Sequence, residues 1–274
     1  MPRPVSALTL RRPKSLKAAL AMLEDDEALK PIAGCTDVYV GLHFGAETAV
    51  RFLDLWGLDE LRAIRVSGDR LRIGALTTYS ELIRSATVRR RVPMLVAAAR
   101  EVGGAQIQNR GTLGGNIANA SPAGDTLPVL AAAGAEVVLR STRGERTVKF
   151  ADFYTGYRAT VRRPDELIVA VEIPRIVGRQ WWRKVGTRRA QAISKVMMAG
   201  VRGPEVRIGV GSVGPTVLCA TNAARVLSAS GAVADAQAAL GAEMSPIDDL
   251  RSTAAYRATV AKALLATFWR ETAS

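Results

Sequence analysis

Histidine is nearly absent from the chain, and cysteine is scarce. His43 is the one histidine, and Cys35 and Cys219 are the two cysteines in 274 residues. One histidine leaves no set for a histidine-based metal site. Two cysteines can neither build a disulfide framework nor bind a metal cluster unaided, so a reduced, cytoplasmic setting is the expectation. No apolar run approaches the roughly 18 to 20 residues that a membrane helix needs, so no membrane span is expected. The opening stretch MPRPVSALTLRRPKSL lacks a charged region, an apolar region and a cleavage site in that order, and so predicts no signal peptide. Acidic residues are also in deficit: 25 Asp and Glu against 38 Lys and Arg leave a net charge of +13. The arginines are scattered, dense only in RSATVRRR and WWRKVGTRR, and rarely interleave with aromatics. A solvated basic surface accounts for them first, an acidic protein partner second and nucleic acid third, so no nucleic-acid partner is expected.

What is present is ordinary for a globular protein: 48 % hydrophobic and 23 % charged residues, enough for one large or two smaller domains with ample core. SLKAALAML places Leu16, Ala19, Leu20 and Leu23 at helical spacing behind a Ser15 cap. AVRFLDL and LRIGAL read as strands. TYSE, Thr78 to Glu81, fits a capping box. PMLVAAAREV starts with proline in a first helical turn and is closed by Gly103-Gly104. DTLPVLAAAG reads as helix, and AEVVLRS and ELIVAVEIP as strands with a hairpin near Gly144. Beyond Pro174 come three successive strands and then three helices, the mark of a separate α+β unit. The boundary is placed at 176/177, giving domains 1–176 and 177–274.

Two stretches are bare of large side chains. QNRGTLGGNIANASPAGD, residues 108 to 125, carries four glycines and three asparagines. Thr112, Gly114, Gly115 and Asn116 read as a loop offering free N–H groups, a hydroxyl and an amide. Such N–H groups can form an anion-binding nest. The earlier AGCTD, Ala33 to Asp37, has the same chemistry, and the two loops could grip one diphosphate from two sides. Neither is a GxGxxG or a GxxxxGK[ST] fingerprint.

The chain resembles the FAD-binding (medium) subunits of the molybdenum hydroxylases, the xanthine dehydrogenase and aerobic carbon monoxide dehydrogenase family. PIAGCTDV, IGALTTYSEL, PMLVAAAREVGGAQIQNRGTLGGNIANASPAGDTLPVLAAAGAEVVL, ELIVAVEIP, RKVGTRRAQAISKV, SVGPTVLCA and DDLRSTAAYRATVAKALL carry the likeness over nearly the whole chain. The resemblance implies an α+β fold. A two-part FAD-binding domain of the vanillyl-alcohol-oxidase (PCMH) type would be followed by a C-terminal domain of antiparallel sheet plus helices. It implies an oxidoreductase subunit whose FAD takes electrons from [2Fe–2S] clusters on a small iron–sulfur subunit. Those clusters are fed by a molybdopterin centre on a large subunit, and the whole forms a dimer of heterotrimers. The alternative of a different class is a flavin-free assembly scaffold of the same fold.

Carried over by position, Pro31, Ile32, Ala33, Gly34, Cys35, Thr36, Asp37 and Val38 would form the first loop around the FAD diphosphate and ribityl. Thr112, Leu113, Gly114, Gly115 and Asn116 would form the second. Asp125 matches an acid at the adenosine part or its surroundings. Val102 and Ile168 match apolar contacts of the flavin, and Lys184 a lysine near the ring. Read without the resemblance, Lys184 is a solvated strand lysine. Cys35 departs from the family, whose loop reads AGGTD. If the position needs positive φ, an L-residue there costs about 1 kcal/mol or more.

Overall fold

The computed structural model describes residues 5–273; residues 1–4 and 274 of the two expected domains lie outside the described residues. A small parallel sheet comes first. Its strands are β1 (Thr9–Arg11), β2 (Lys30–Ile32) and β3 (Arg51–Asp54), in the order β1-β3-β2. Helix α1 (Leu16–Asp25) starts where the Ser15 hydroxyl accepts from the Ala18 amide at 3.1 Å, and it buries Leu16, Ala19, Leu20 and Leu23. The six-residue α2 (Val38–His43) buries none of its side chains.

The second sheet is antiparallel, in the order β4-β5-β10-β6-β7. It comprises β4 (Ile64–Ser67), β5 (Arg70–Gly74), β6 (Glu136–Ser141), β7 (Gly144–Lys149) and β10 (Leu167–Ile173), while β8 (Tyr154–Gly156) and β9 (Ala159–Thr160) pair apart. Its two faces feed two different cores. Val138, Leu167 and Val169 pack with α1 and the first sheet, whereas Val137, Leu139, Ile168 and Val171 face the helices on the other side. A register shift between Ile168 and Ala170 breaks the alternation, so Val169 and Ala170 both join the α1 side. An extra residue in a strand has this effect. Burial on both faces is why ELIVAVEIP is an almost unbroken apolar run.

The helices on the far face are α3 (Tyr79–Arg84), α4 (Ala86–Arg91), α5 (Pro93–Arg100), α6 (Ala105–Gln108), α7 (Leu113–Asn119) and α8 (Leu127–Ala133). The capping box is present as read: Thr78 Oγ1 accepts from the Glu81 amide, and the Glu81 carboxylate accepts from the Thr78 amide.

After β10 the chain makes an antiparallel meander of β11 (Arg179–Val185), β12 (Val196–Arg202), β13 (Arg207–Gly211) and the two-residue β14 (Leu218–Cys219). Helices α9 (Thr221–Ser228), α10 (Val233–Glu243) and α11 (Ala254–Glu271) cover one face, giving an apolar cluster drawn wholly from residues 181–268. On the other face lie α5 and α8, so Ala199, Val201 and Val217 enter the core of the first part. The short strands β1, β2, β4, β8, β9 and β14 are additions to the sequence expectation. No helix among the described residues is long and apolar enough to cross a membrane.

Candidate functional site

The first bare stretch begins at the carboxyl end of β2. Ile32 pairs with Asp54, and its carbonyl accepts from the Leu55 amide at 2.9 Å. Parallel pairing therefore ends there, and Ala33–Asp37 leave the sheet as a loop. Cys35 takes φ +63°, the left-handed region, and Asp37 returns to the right-handed region at φ −96° and ψ −37°. The Cys35 carbonyl then accepts from the Tyr39 amide at 3.0 Å and opens α2. In between, the amides of Gly34, Cys35, Thr36, Asp37 and Val38 donate to no acceptor among the described residues. A run of N–H groups through a left-handed and a right-handed residue is the geometry of an anion nest. The cysteine thus occupies the backbone conformation a glycine would take, at the cost anticipated for an L-residue.

The second bare stretch differs from the sequence expectation. Thr112 is an N-cap whose hydroxyl accepts from the Gly115 amide at 3.1 Å, and Leu113, Gly114, Gly115 and Asn116 form the first turn of α7 rather than a loop. Its N–H groups are not free. Leu113 donates to the Thr77 carbonyl at 3.0 Å, Gly114 to that of Ala75 at 2.8 Å, and Asn116 to that of Thr112 at 3.0 Å. Gly114 is needed for this docking, since a Cβ there would stand 2.6 Å from Ala75 Cβ. Helix starts leave N–H groups seeking partners, and here the strand-to-helix turn at Ala75–Thr77 supplies them.

The two stretches touch. A Cβ on Gly34 would lie 1.7 Å from the Arg110 carbonyl oxygen, so only glycine lets the backbones approach this closely. Tyr79 lies beneath the contact, its ring against Gly111. Burial pushes its phenol well up, and the charges of Asp125 and Asp37 push it further. Burial also raises the Cys35 thiol, Asp54 adds to the rise and Arg110 opposes it.

Asp125 and Lys184 meet each other. Lys184 Nζ donates to Asp125 Oδ2 at 2.8 Å and to the Glu101 carbonyl at 3.2 Å, with both side chains of the ion pair less than a tenth exposed. Ser194 Oγ donates to Asp125 Oδ1. Burial raises the Asp125 carboxyl; Lys184 and Ser194 pull it back down, and Glu101 adds to the rise. Lys184 is therefore no solvated strand lysine. Ser194 is itself fixed, because its carbonyl accepts from Ser212 Oγ at 3.3 Å and the buried Arg257 donates to the Lys195 and Ser212 carbonyls at 3.0 and 3.1 Å.

Of the remaining expected residues, Val102 and Asn116 fall near this pair and the others do not. Val102 follows Glu101 and is half-buried against the main core, and Asn116 Oδ1 accepts from Thr126 Oγ1 at 2.6 Å, beside Asp125. Ile168 lies in the core with Leu113 and Ile117 rather than on the polar face. Pro31 and Ile32 are strand residues of β2, and Val38 begins α2. A cavity of about 240 Å³ opens beside Lys184, lined by Glu101, Trp182, Arg183 and Arg188 among others. Sequence reasoning missed Tyr79, Arg110, Glu101 and Ser194. TYSE was seen only as a cap, and nothing in the sequence around Ser194 signals its bond to Asp125.

A mixed sheet-and-helix part is followed by an antiparallel sheet backed by helices, the two-part architecture of flavoprotein medium subunits. Residues 6–176 match the family described as FAD binding domain in molybdopterin dehydrogenase, and residues 182–272 match the CO dehydrogenase flavoprotein C-terminal domain. The chain belongs to this family of FAD-binding medium subunits, and FAD is its cofactor. It is 30 % identical to the glyceraldehyde dehydrogenase medium chain of Sulfolobus acidocaldarius, over 96 % of this chain and 97 % of that one. It is 31 % identical to the carbon monoxide dehydrogenase medium chain of Hydrogenophaga pseudoflava, over 91 % of each. The solved structure of quinoline 2-oxidoreductase from Pseudomonas putida 86 superposes with a TM-score of 0.91 at 28 % identity, covering 99 % of this chain and 98 % of the other. These relatives are oxidoreductase subunits, and this chain is one too.

Proposed function

We propose that the chain is the electron-transfer subunit of its complex. It would pass electrons from iron–sulfur clusters of a small partner subunit, through FAD, to an external acceptor. Substrate oxidation would occur at a molybdopterin centre on a large partner, in a dimer of heterotrimers. One observation supports this most: the row of amides from Gly34 to Val38, unpartnered among the described residues and held against the Arg110–Asn116 segment, in a chain whose residues 6–176 and 182–272 match the two domains of medium subunits. A neutral row of donors suits a diphosphate, which brings its own charge.

In this reading Gly34–Val38 hold the diphosphate oxygens, while Thr112–Asn116 back the cradle. Gly115 is exposed with no side chain to obstruct, and Asn116 is held through Thr126. Asp125, Lys184, Glu101 and Val102 form the far wall toward the cavity beside Lys184. The flavin ring supplies the redox chemistry, and the protein supplies binding, orientation and electrostatics. The division into 1–176 and 177–274 belongs to the same proposal, supported by the separate apolar cluster of residues 181–268.

The test is made on the native complex and on the separated chain. Both should release FAD on denaturation. Adding the organic substrate of the complex should bleach the flavin absorbance of the complex and leave that of the isolated chain unchanged. Bleaching of the isolated chain by that substrate, or a native chain that co-purifies with no iron–sulfur partner, would refute the proposal.

A further inference from the structure

Arg110 stands where the two segments meet, and the FAD placement given above uses only its backbone. Its guanidinium carbon lies 3.8 Å from the centroid of the Trp56 ring. The backbone of Trp56 is held, its amide donating to Asp54 Oδ1 at 3.0 Å and its carbonyl accepting from Arg62 Nη2 at 2.7 Å. Asp54 pairs with Ile32, two residues before Gly34, and Arg110 itself spans from the Trp56 ring to the start of the amide row, its carbonyl against Gly34.

The other cations nearby are engaged. Arg62 packs on the same indole at 4.2 Å, donates to the Leu76 carbonyl at 3.2 Å and lies 3.7 Å from Asp59. Arg12 pairs with Asp54 at 3.2 Å, and Lys30 pairs with Glu47. Arg110 differs from them. Among the described residues its guanidinium has no carboxylate within ion-pair distance and makes no hydrogen bond, and its charge reaches the Cys35 thiol. A guanidinium stacked on an aromatic face keeps its in-plane N–H donors available and oriented for a phosphate.

We propose that Arg110 is the cationic clamp of the diphosphate, pre-oriented on Trp56 so that its guanidinium closes on the phosphate oxygens held by the Gly34–Val38 amides. This rests on the FAD placement given above. The amides donate hydrogen bonds but carry no net charge, and Asp37 in the same row adds a carboxylate, so Arg110 supplies the cation that balances a doubly charged diphosphate there.

The test is FAD titration into the flavin-stripped full chain, followed by flavin fluorescence at low and high salt, for wild type, R110Q and R110K. R110Q should bind FAD about tenfold more weakly at low salt and lose most of the salt dependence, since a charge-assisted contact near the surface is screened by ions. R110K should recover part of the affinity and the salt dependence, because it keeps the charge without the stacked plane. The melting temperature of the flavin-free chain should not change in R110Q. Wild-type affinity in R110Q overturns the clamp, and so does a loss equal at all salt concentrations with a lowered melting temperature. A wild-type chain that takes up no FAD would overturn the FAD placement itself, and the clamp with it.

Discussion

Lys184 Nζ lies 2.8 Å from Asp125 Oδ2, in a pair less than a tenth exposed that joins β11 of the C-terminal sheet to the residue preceding the Thr126 cap of α8. Removing one member leaves the other buried and unpaired, which costs about 3–5 kcal/mol. Lys184→Met should therefore lose stability on this scale in urea unfolding.

The pH dependence of that loss follows from Asp125. Burial holds its carboxyl above the ordinary range despite Lys184. A raised folded-state pKa means that the folded chain binds this proton more readily than the unfolded one. Its contribution to stability is then greatest at acid pH and falls as pH rises from the ordinary value through the raised one. Without the ammonium the carboxyl rises further, and protonation removes the uncompensated charge. The deficit of Lys184→Met against wild type should thus be largest near pH 7 and shrink as the solution is acidified. Urea titrations of both proteins across the acid range check this, and a deficit constant with pH would contradict it.

Cys35 gives a prediction of opposite sign. A left-handed L-residue costs about 1–2 kcal/mol, and glycine loses about 0.5–1 kcal/mol more conformational entropy on folding. With φ at +63°, Cys35→Gly should be neutral to stabilising by about 1 kcal/mol, and Cys35→Val destabilising, in thermal unfolding. Because burial raises the thiols of both Cys35 and Cys219, alkylation of the native chain near neutral pH should be slower than for a free cysteine and should accelerate toward alkaline pH.

Much of this was legible in the sequence, for identifiable reasons. Ser15, the Thr78–Glu81 box and the proline opening α5 act locally, through the residues next to them, so their patterns are readable. The sheet meander and final helices followed from long periodic runs. The α7 start was not legible, because the partners of its amides are the Ala75 and Thr77 carbonyls, more than 30 residues away, and no local signal marks them. The same holds for Ser194 on Asp125, a contact spanning 69 positions. Short strands such as β2, a single KPI, carry too few residues for a period. The glycine-rich composition announced close backbone approach correctly, yet it could not say whether the approaching group was a ligand or another loop. At Gly34 and Gly114 it is protein.

That distinction yields a pair of variants. A Cβ at Gly34 would meet the Arg110 carbonyl, which is backbone and cannot swing aside. Overpacking of this kind costs about 1–3 kcal/mol. Gly34→Ala should lower the melting temperature, part the two segments and weaken FAD binding. Gly57→Ala, with nothing within 4 Å of its added Cβ, should leave both unchanged. Melting curves with and without FAD read the two effects. Equal behaviour of the two variants would show that the Gly34 contact is not needed.

Thr112 separates backing from holding. Its hydroxyl caps α7 by accepting from the Gly115 amide, and loss of such a cap costs about 1 kcal/mol, while serine can replace it. The first-turn amides of α7 are already satisfied by Ala75, Thr77 and the cap itself, whereas those of Gly34–Val38 have no partner among the described residues. Thr112→Ala should therefore lower stability by about 1 kcal/mol, with Thr112→Ser restoring it, and should weaken FAD binding less than Gly34→Ala does. Unfolding free energy and FAD dissociation constant, measured on the same preparations, decide the matter. If Thr112→Ala abolished FAD binding at unchanged stability, the hydroxyl would be a direct ligand contact, and the cradle would have to be shared equally between the two segments.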